Sequence, residues 1–171
     1  MRKKLQLGFL VGCCILLLDI LTKYLVYHDI PPITQNLWFY PYGGIPVFEN
    51  FLGIEFSIVH ATNRGAAWGA LADFQTSLLV LRIVLIALLT GYLLFFNQRK
   101  AYVIPICLLI TGAVGNVIDY FKYGVVIDMF KFVLWGYHYP IFNVADCAIT
   151  IGIFWIIMAS FLIHRASAVS S

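Results

Sequence analysis

The sequence predicts an all-α integral membrane protein: four transmembrane helices, both termini cytoplasmic, and a small extracytoplasmic region of short strands with an interfacial helix. Three observations lead there. First, the 171 residues are 62% hydrophobic and only 11% charged, with a mean hydropathy of +0.91. A soluble domain carries about 25% charged residues, so this chain lacks the polar surface to dissolve in water. Second, four runs approach the roughly 20 apolar residues needed to cross a ~30 Å hydrocarbon core. Third, Lys and Arg collect where cytoplasmic loops would place them: "MRKK" at the start, "NQRK" between the second and third runs, and "HR" after the fourth.

The first span covers about residues 5–27. Its opening, "MRKKLQLGFLVGCC", has the basic start and "LVGC" of a lipoprotein signal peptide. A processed lipoprotein would continue into a polar segment, whereas here the apolar run continues through "ILLLDILTKYLV", so an uncleaved span is expected. Within it Asp19 and Lys23 stand at i and i+4, the spacing of an intrahelical ion pair. The connection at about residues 28–76 faces outward. "NLWFYPYGG" suits the membrane–water boundary, "FLGIEFSIVHATN" alternates enough for one or two short strands, and "AAWGALADF" reads as a short interfacial helix. The second span, about 77–96, carries Arg82, expected to snorkel outward. The third, about 101–119, ends at Asp119, and the fourth, about 141–163, runs back inward. One membrane domain thus spans residues 1–171.

Composition excludes several classes. The net charge of +3 is scattered, so no nucleic-acid partner is expected. Cys13, Cys14, Cys107 and Cys147 form neither a disulfide framework nor a CxxC pair, and the four His have no metal-ligand spacing, so no metal or cofactor is expected. Ser57 and His60 are the nearest approach to a nucleophile–base pair and are discounted.

The chemistry concentrates in two acids. "GVVIDMFKF" and "FNVADCAITIGIF" each bury one carboxylate, Asp128 and Asp146, in apolar surroundings, and both fall near the outer ends of their segments. A charged Asp at mid-bilayer costs about 2.5–3.5 kcal/mol on insertion scales, and two such residues ask for a function. Two carboxylates about 3 Å apart cannot both ionise. The charged member can take a proton from water while the neutral one donates to a carbonyl, which is amide hydrolysis without a covalent intermediate. Asn143 at i−3 and Thr150 at i+4 share a helix face with Asp146, and Asn116 pairs likewise with Asp119. A lone membrane aspartate also serves as a structural acceptor. A proton relay through Asp19, Asp119, Asp128 and Asp146 is an alternative, but needs acids at successive depths, as is an assembly factor with an outer binding region.

"DILTK", "NRGAAWG", "GNVIDYFKYGVVIDMF" and "FNVADCAITIG", in this order, resemble the signature blocks of bacterial lipoprotein signal peptidase, signal peptidase II. The resemblance implies an aspartyl endopeptidase of the bacterial inner membrane with its site near the periplasmic face. It would cut prolipoproteins before the lipid-modified cysteine and be inhibited by globomycin, its partners being those substrates and membrane lipids. It is expected to act as a monomer. By motif, Asp128 and Asp146 would be the catalytic pair. Asn63, Asn116, Asp119 and Asn143 would support the site, and Asp19 and Lys23 are expected among the supporting residues. Gly65, beside Asn63, is expected to let the chain approach closely. An outer β-cradle is also implied. The family's "GNxxDR" is broken by Tyr120. Lys122, or else Lys131, is therefore expected to neutralise Asp119.

Overall fold

The computed structural model describes residues 2–33, 39–65 and 74–169. Among these residues four helices are long and apolar enough to cross a membrane: α1 (Arg2–Asp29), α2 (Gln75–Gly91, continued to Phe96 by a wider π-helical turn), α3 (Val103–Tyr123) and α4 (Val144–Val169). Their large side chains point outward, with Phe9, Leu17, Leu88, Phe95, Phe154 and Phe161 all exposed. That inversion of the soluble pattern is what a hydrocarbon solvent requires, since lipid tails are as apolar as leucine.

Two boundaries differ from the sequence reading. α3 runs past Asp119 to Tyr123 and is closed by Gly124, whose φ of 72° is the left-handed cap that glycine tolerates and whose N–H donates to Tyr120 O. α4 begins at Val144, after Pro140 and an extended approach, because Asn143 caps it.

The strands also exceed the expectation. β1 (Ile45–Phe51) and β2 (Ile54–Asn63) come from the first long connection, but β3 (Val126–Leu134) and β4 (Tyr137–His138) come from the second. Together they form one antiparallel sheet in the order β1-β2-β3-β4. The β-cradle is therefore not confined to residues 28–76, and the segment holding Asp128 is a strand. The interfacial helix expected at residues 66–74 lies, except for Phe74, outside the described residues. Because the sheet is drawn from the α1–α2 and α3–α4 connections, it sits at one end of the bundle, and Phe132 stacks on both Phe56 and Phe142 to join it to the start of α4.

Small residues set the helix spacing. α3 is the central helix, packing on α1, α2 and α4. A Cβ at Gly112 would stand 2.4 Å from Ala145 O, and one at Gly115 would stand 2.6 Å from Asp19 Oδ2. The Asp19 carboxylate cannot yield, because it is held by an ion pair and a backbone N–H. Gly115→Ala is thus expected to destabilise the fold by about 1–3 kcal/mol, the range for overpacking. Thermal unfolding in detergent micelles measures it, and an unchanged midpoint would contradict the close-approach account.

Candidate active site

Asp128 is placed by the sheet. In β3 it pairs with Ala61 of β2, two residues from Asn63, whose Nδ2 donates to Asp128 Oδ2 at 3.2 Å. Val126, Ile127, Asp128 and Met129 are all buried, so the strand has no solvent face here. Burial, and secondly the charge of Asp146, push the Asp128 carboxyl up to about 7.

Asp146 is placed by a helix start. Asn143 Oδ1 accepts from Asp146 N at 2.9 Å, and Asp146 Oδ2 accepts from Asn143 N at 3.3 Å. This reciprocal arrangement is a capping box, which satisfies two N–H groups the helix cannot satisfy itself. Its carboxylate also lies where the helix dipole favours negative charge.

Asparagines join the two acids. Asn143, fully buried, donates from Nδ2 to Asp128 Oδ1 at 2.7 Å while its backbone N–H reaches Asp146. Asn116 Nδ2 donates to Asp146 Oδ1 at 2.9 Å. Behind them stands Lys23, with no exposed surface. Its Nζ lies 2.7 Å from Asp19 Oδ2, 2.8 Å from Asp119 Oδ2 and 3.1 Å from Asn116 Oδ1. Lysine is donor-only, so the oxygen of Asn116 must face Lys23 and its NH₂ must face Asp146. Asp19 Oδ1 accepts from Ala145 N at 2.8 Å, and Asp119 Oδ2 from Ile127 N at 3.1 Å. One ammonium thus ties α1 to α3, while its two carboxylates hold the first turn of α4 and the start of β3.

Several expectations are revised here. The Asp19–Lys23 pair exists but is not merely intrahelical. Lys23, not Lys122 or Lys131, is the cation on Asp119. Lys122 lies over the rings of Tyr24 and Tyr123, and Lys131 over that of Tyr42 at 3.9 Å. Arg82 reaches toward the sheet end of the bundle, where its Nη2 donates to Gly65 O at 3.3 Å. Ser57 and His60 are buried in β2, His60 Nδ1 bonding Ile30 O, and neither lines the cleft. Asn63, Gly65, Asn116, Asp128 and Asp146 do share it: a cavity of about 510 Å³ also walled by Arg82, Tyr139, Phe142, Thr150 and Ile151. Gly65 N donates to Asn63 Oδ1 at 2.9 Å, fixing that amide with its NH₂ toward Asp128. Asp19, Lys23 and Asp119 stand behind the wall rather than in it. The role of Lys23 had one sequence signal, a lysine inside an apolar span, and the i+4 aspartate masked it.

A pair of carboxylates with oriented amide donors, open on one side to an apolar cleft, can polarise a carbonyl and activate water at the same point. The chain is similar to known proteins over most of its length. Residues 11–162 match the family model described as signal peptidase (SPase) II. A lipoprotein signal peptidase of Syntrophus aciditrophicus is 33% identical, covering 92% of this chain and 94% of that protein. One from Actinobacillus succinogenes is 36% identical, with 94% of each covered. Two solved bacterial membrane enzymes, determined in meso at 2.3 and 1.9 Å, superpose with TM-scores of 0.77 and 0.74 at 28% and 29% identity. The first covers 91% of this chain and 88% of that chain, the second 90% and 92%.

Proposed function

The chain belongs to the signal peptidase II family, the lipoprotein signal peptidases, and from that premise we propose that it is an aspartic endopeptidase. It cuts diacylglyceryl-modified prolipoproteins just before the lipidated cysteine, with Asp128 and Asp146 activating water. The observation that carries this reading is Asn143, which bonds both carboxylates at once and holds them at one cleft.

Asp128, the more buried acid, holds the proton that is donated, and Asp146 receives the proton of the attacking water. Water adds to the scissile carbonyl carbon, its proton passing to Asp146 while Asp128 donates to the carbonyl oxygen. The tetrahedral species then collapses. The C–N bond breaks, the cysteine nitrogen takes the proton from Asp146, and the hydroxyl proton returns to Asp128. The amides of Asn63, Asn116 and Asn143 keep both carboxyl groups aimed through these transfers.

The setting supports a lipid-bound substrate. Thr150 and Ile151 carry the cleft wall along α4, so a signal helix reaches the acids without leaving the bilayer. Opened backbone is tolerated there because protein groups replace absent water. The basic "MRKK" and "NQRK" segments support cytoplasmic termini, an inner-membrane location and a site at the periplasmic edge. The enzyme acts as a monomer among membrane lipids. The test is incubation of the purified protein with a diacylated prolipoprotein, expecting a globomycin-sensitive mass loss equal to the signal peptide; no loss would refute the assignment.

A pH dependence follows. Asp128 loses its proton as pH rises through about 7, so kcat should fall on the alkaline side, with an apparent value belonging to the pair. The stability effect has the same sign. The folded state binds this proton more tightly than the unfolded chain, whose value is 3.8, so the contribution is full below that value and is lost as pH rises to about 7. A kcat profile flat from about pH 6 to about pH 9 would count against Asp128 as the acid.

A further inference from the structure

Arg82 is a charge that the two-carboxylate chemistry leaves unused. It lies seven residues into α2, which at ~1.5 Å per residue is about 10 Å along a membrane-spanning helix. A cation there is costly, and such residues pair with something or serve a site. Among the described residues no carboxylate lies within ion-pair distance of it. Its side chain turns into the cleft instead, donating one hydrogen bond to Gly65 O. Among the described residues lining that cleft it is the one positive side chain. Position 120 on α3, next to Asp119, is tyrosine and brings no second cation.

We infer that Arg82 binds the main-chain carbonyls of the substrate's signal segment immediately ahead of the cut, and this rests on the lipoprotein-processing reading. The signal segment crosses the membrane as a helix, and the last four carbonyls of a helix have no internal partner. They also carry the negative end of its dipole. Extending the backbone for cleavage frees still more acceptors where water is scarce. A guanidinium presents five donors in a planar fork, and the bond to Gly65 O uses one while fixing its aim. Carbonyls suit this cleft better than a lipid phosphate, because the negative charge shared by the two carboxyl groups would repel an anion. Arg82 is thus a substrate-binding residue on the signal-peptide side of the cut.

The test uses the full chain in micelles with a diacylated prolipoprotein. Arg82→Gln should raise KM about tenfold, as for one lost charge-assisted hydrogen bond, with kcat and its pH profile little changed. Arg82→Lys, which keeps charge but not the fork, should fall between. Affinity for the same substrate in an Asp146→Asn background should drop by the same factor when Arg82→Gln is added. A shifted pH profile with unchanged KM would overturn the inference by showing that Arg82 acts on the acids. A lowered melting temperature with kcat reduced and KM unchanged would overturn it in favour of a strut for Gly65. Binding that weakens only when anionic lipid is present would point to a phosphate and overturn it as well. Cleavage by the unmodified enzyme with Arg82→Gln indistinguishable from it refutes this inference alone. Absence of any cleavage refutes the underlying reading and this with it.

Discussion

Asp128→Asn and Asp146→Asn are each expected to lower turnover by at least about a thousandfold, because each removes a proton-transfer group that cannot be replaced by the other. The amide is nearly isosteric with the acid, so the loss should come without loss of the fold. At position 146 an amide oxygen can still accept from Asn143 N, so the capping box survives the change. At position 128 the amide oxygen can accept from only one of Asn63 and Asn143, which offsets what is gained above about pH 7 when a buried carboxylate need no longer ionise. The double variant should be no worse than either single one, as for residues that act as a unit. Steady-state cleavage and thermal unfolding of the same preparations decide the matter. Substantial turnover in either variant would remove that residue from the chemistry.

The second large effect is on stability. Lys23→Met should destabilise by about 3–5 kcal/mol, the range for breaking a buried ion pair from one side. Asp19 and Asp119 are 1% and 2% exposed, and both would lose their cation. Below the melting transition turnover should still suffer, because Asn116 would be free to turn its oxygen toward Asp146. Adding Asp119→Asn to Lys23→Met should restore part of the stability by removing one unmatched charge, while turnover stays low. Unfolding midpoints in micelles read the first effect, and a Lys23→Met protein as stable as the parent would show that the ammonium is not what holds these helices together.

Much of this was legible in the sequence. The four spans announce themselves by length and polarity, and the two acids by the cost of putting them there. β3 was not, because "VIDMFKFVL" is buried at its start on both faces and so lacks the alternation that marks a half-exposed strand. Its pairing with β2 depends on residues about 70 positions away, which periodicity cannot reach. The capping box was written in "NVAD", an amide and a carboxylate three residues apart at a helix start, yet the same spacing reads equally as two groups on one helix face. Lys23 was hidden differently: Asp19 satisfies it locally, so nothing in α1 signals Asp119. For Arg82 the sequence suggests the direction of reach but not the partner, Gly65 O, because a helix position says nothing of what the side chain meets.

Lys23 also bears on how the protein is made. α1 is synthesised first and carries its own counter-ion, so it can enter the bilayer with its charges matched. Asp119 gains this cation only when α3 docks against that first helix, and Asp146 its amide from Asn116 only when α4 docks on α3. A nascent chain halted after three spans therefore has Asp128 without its companion, and a misassembled one lacks the oriented amides. On the proposed mechanism, proteolytic competence arrives only with the last helix, because that helix brings Asp146.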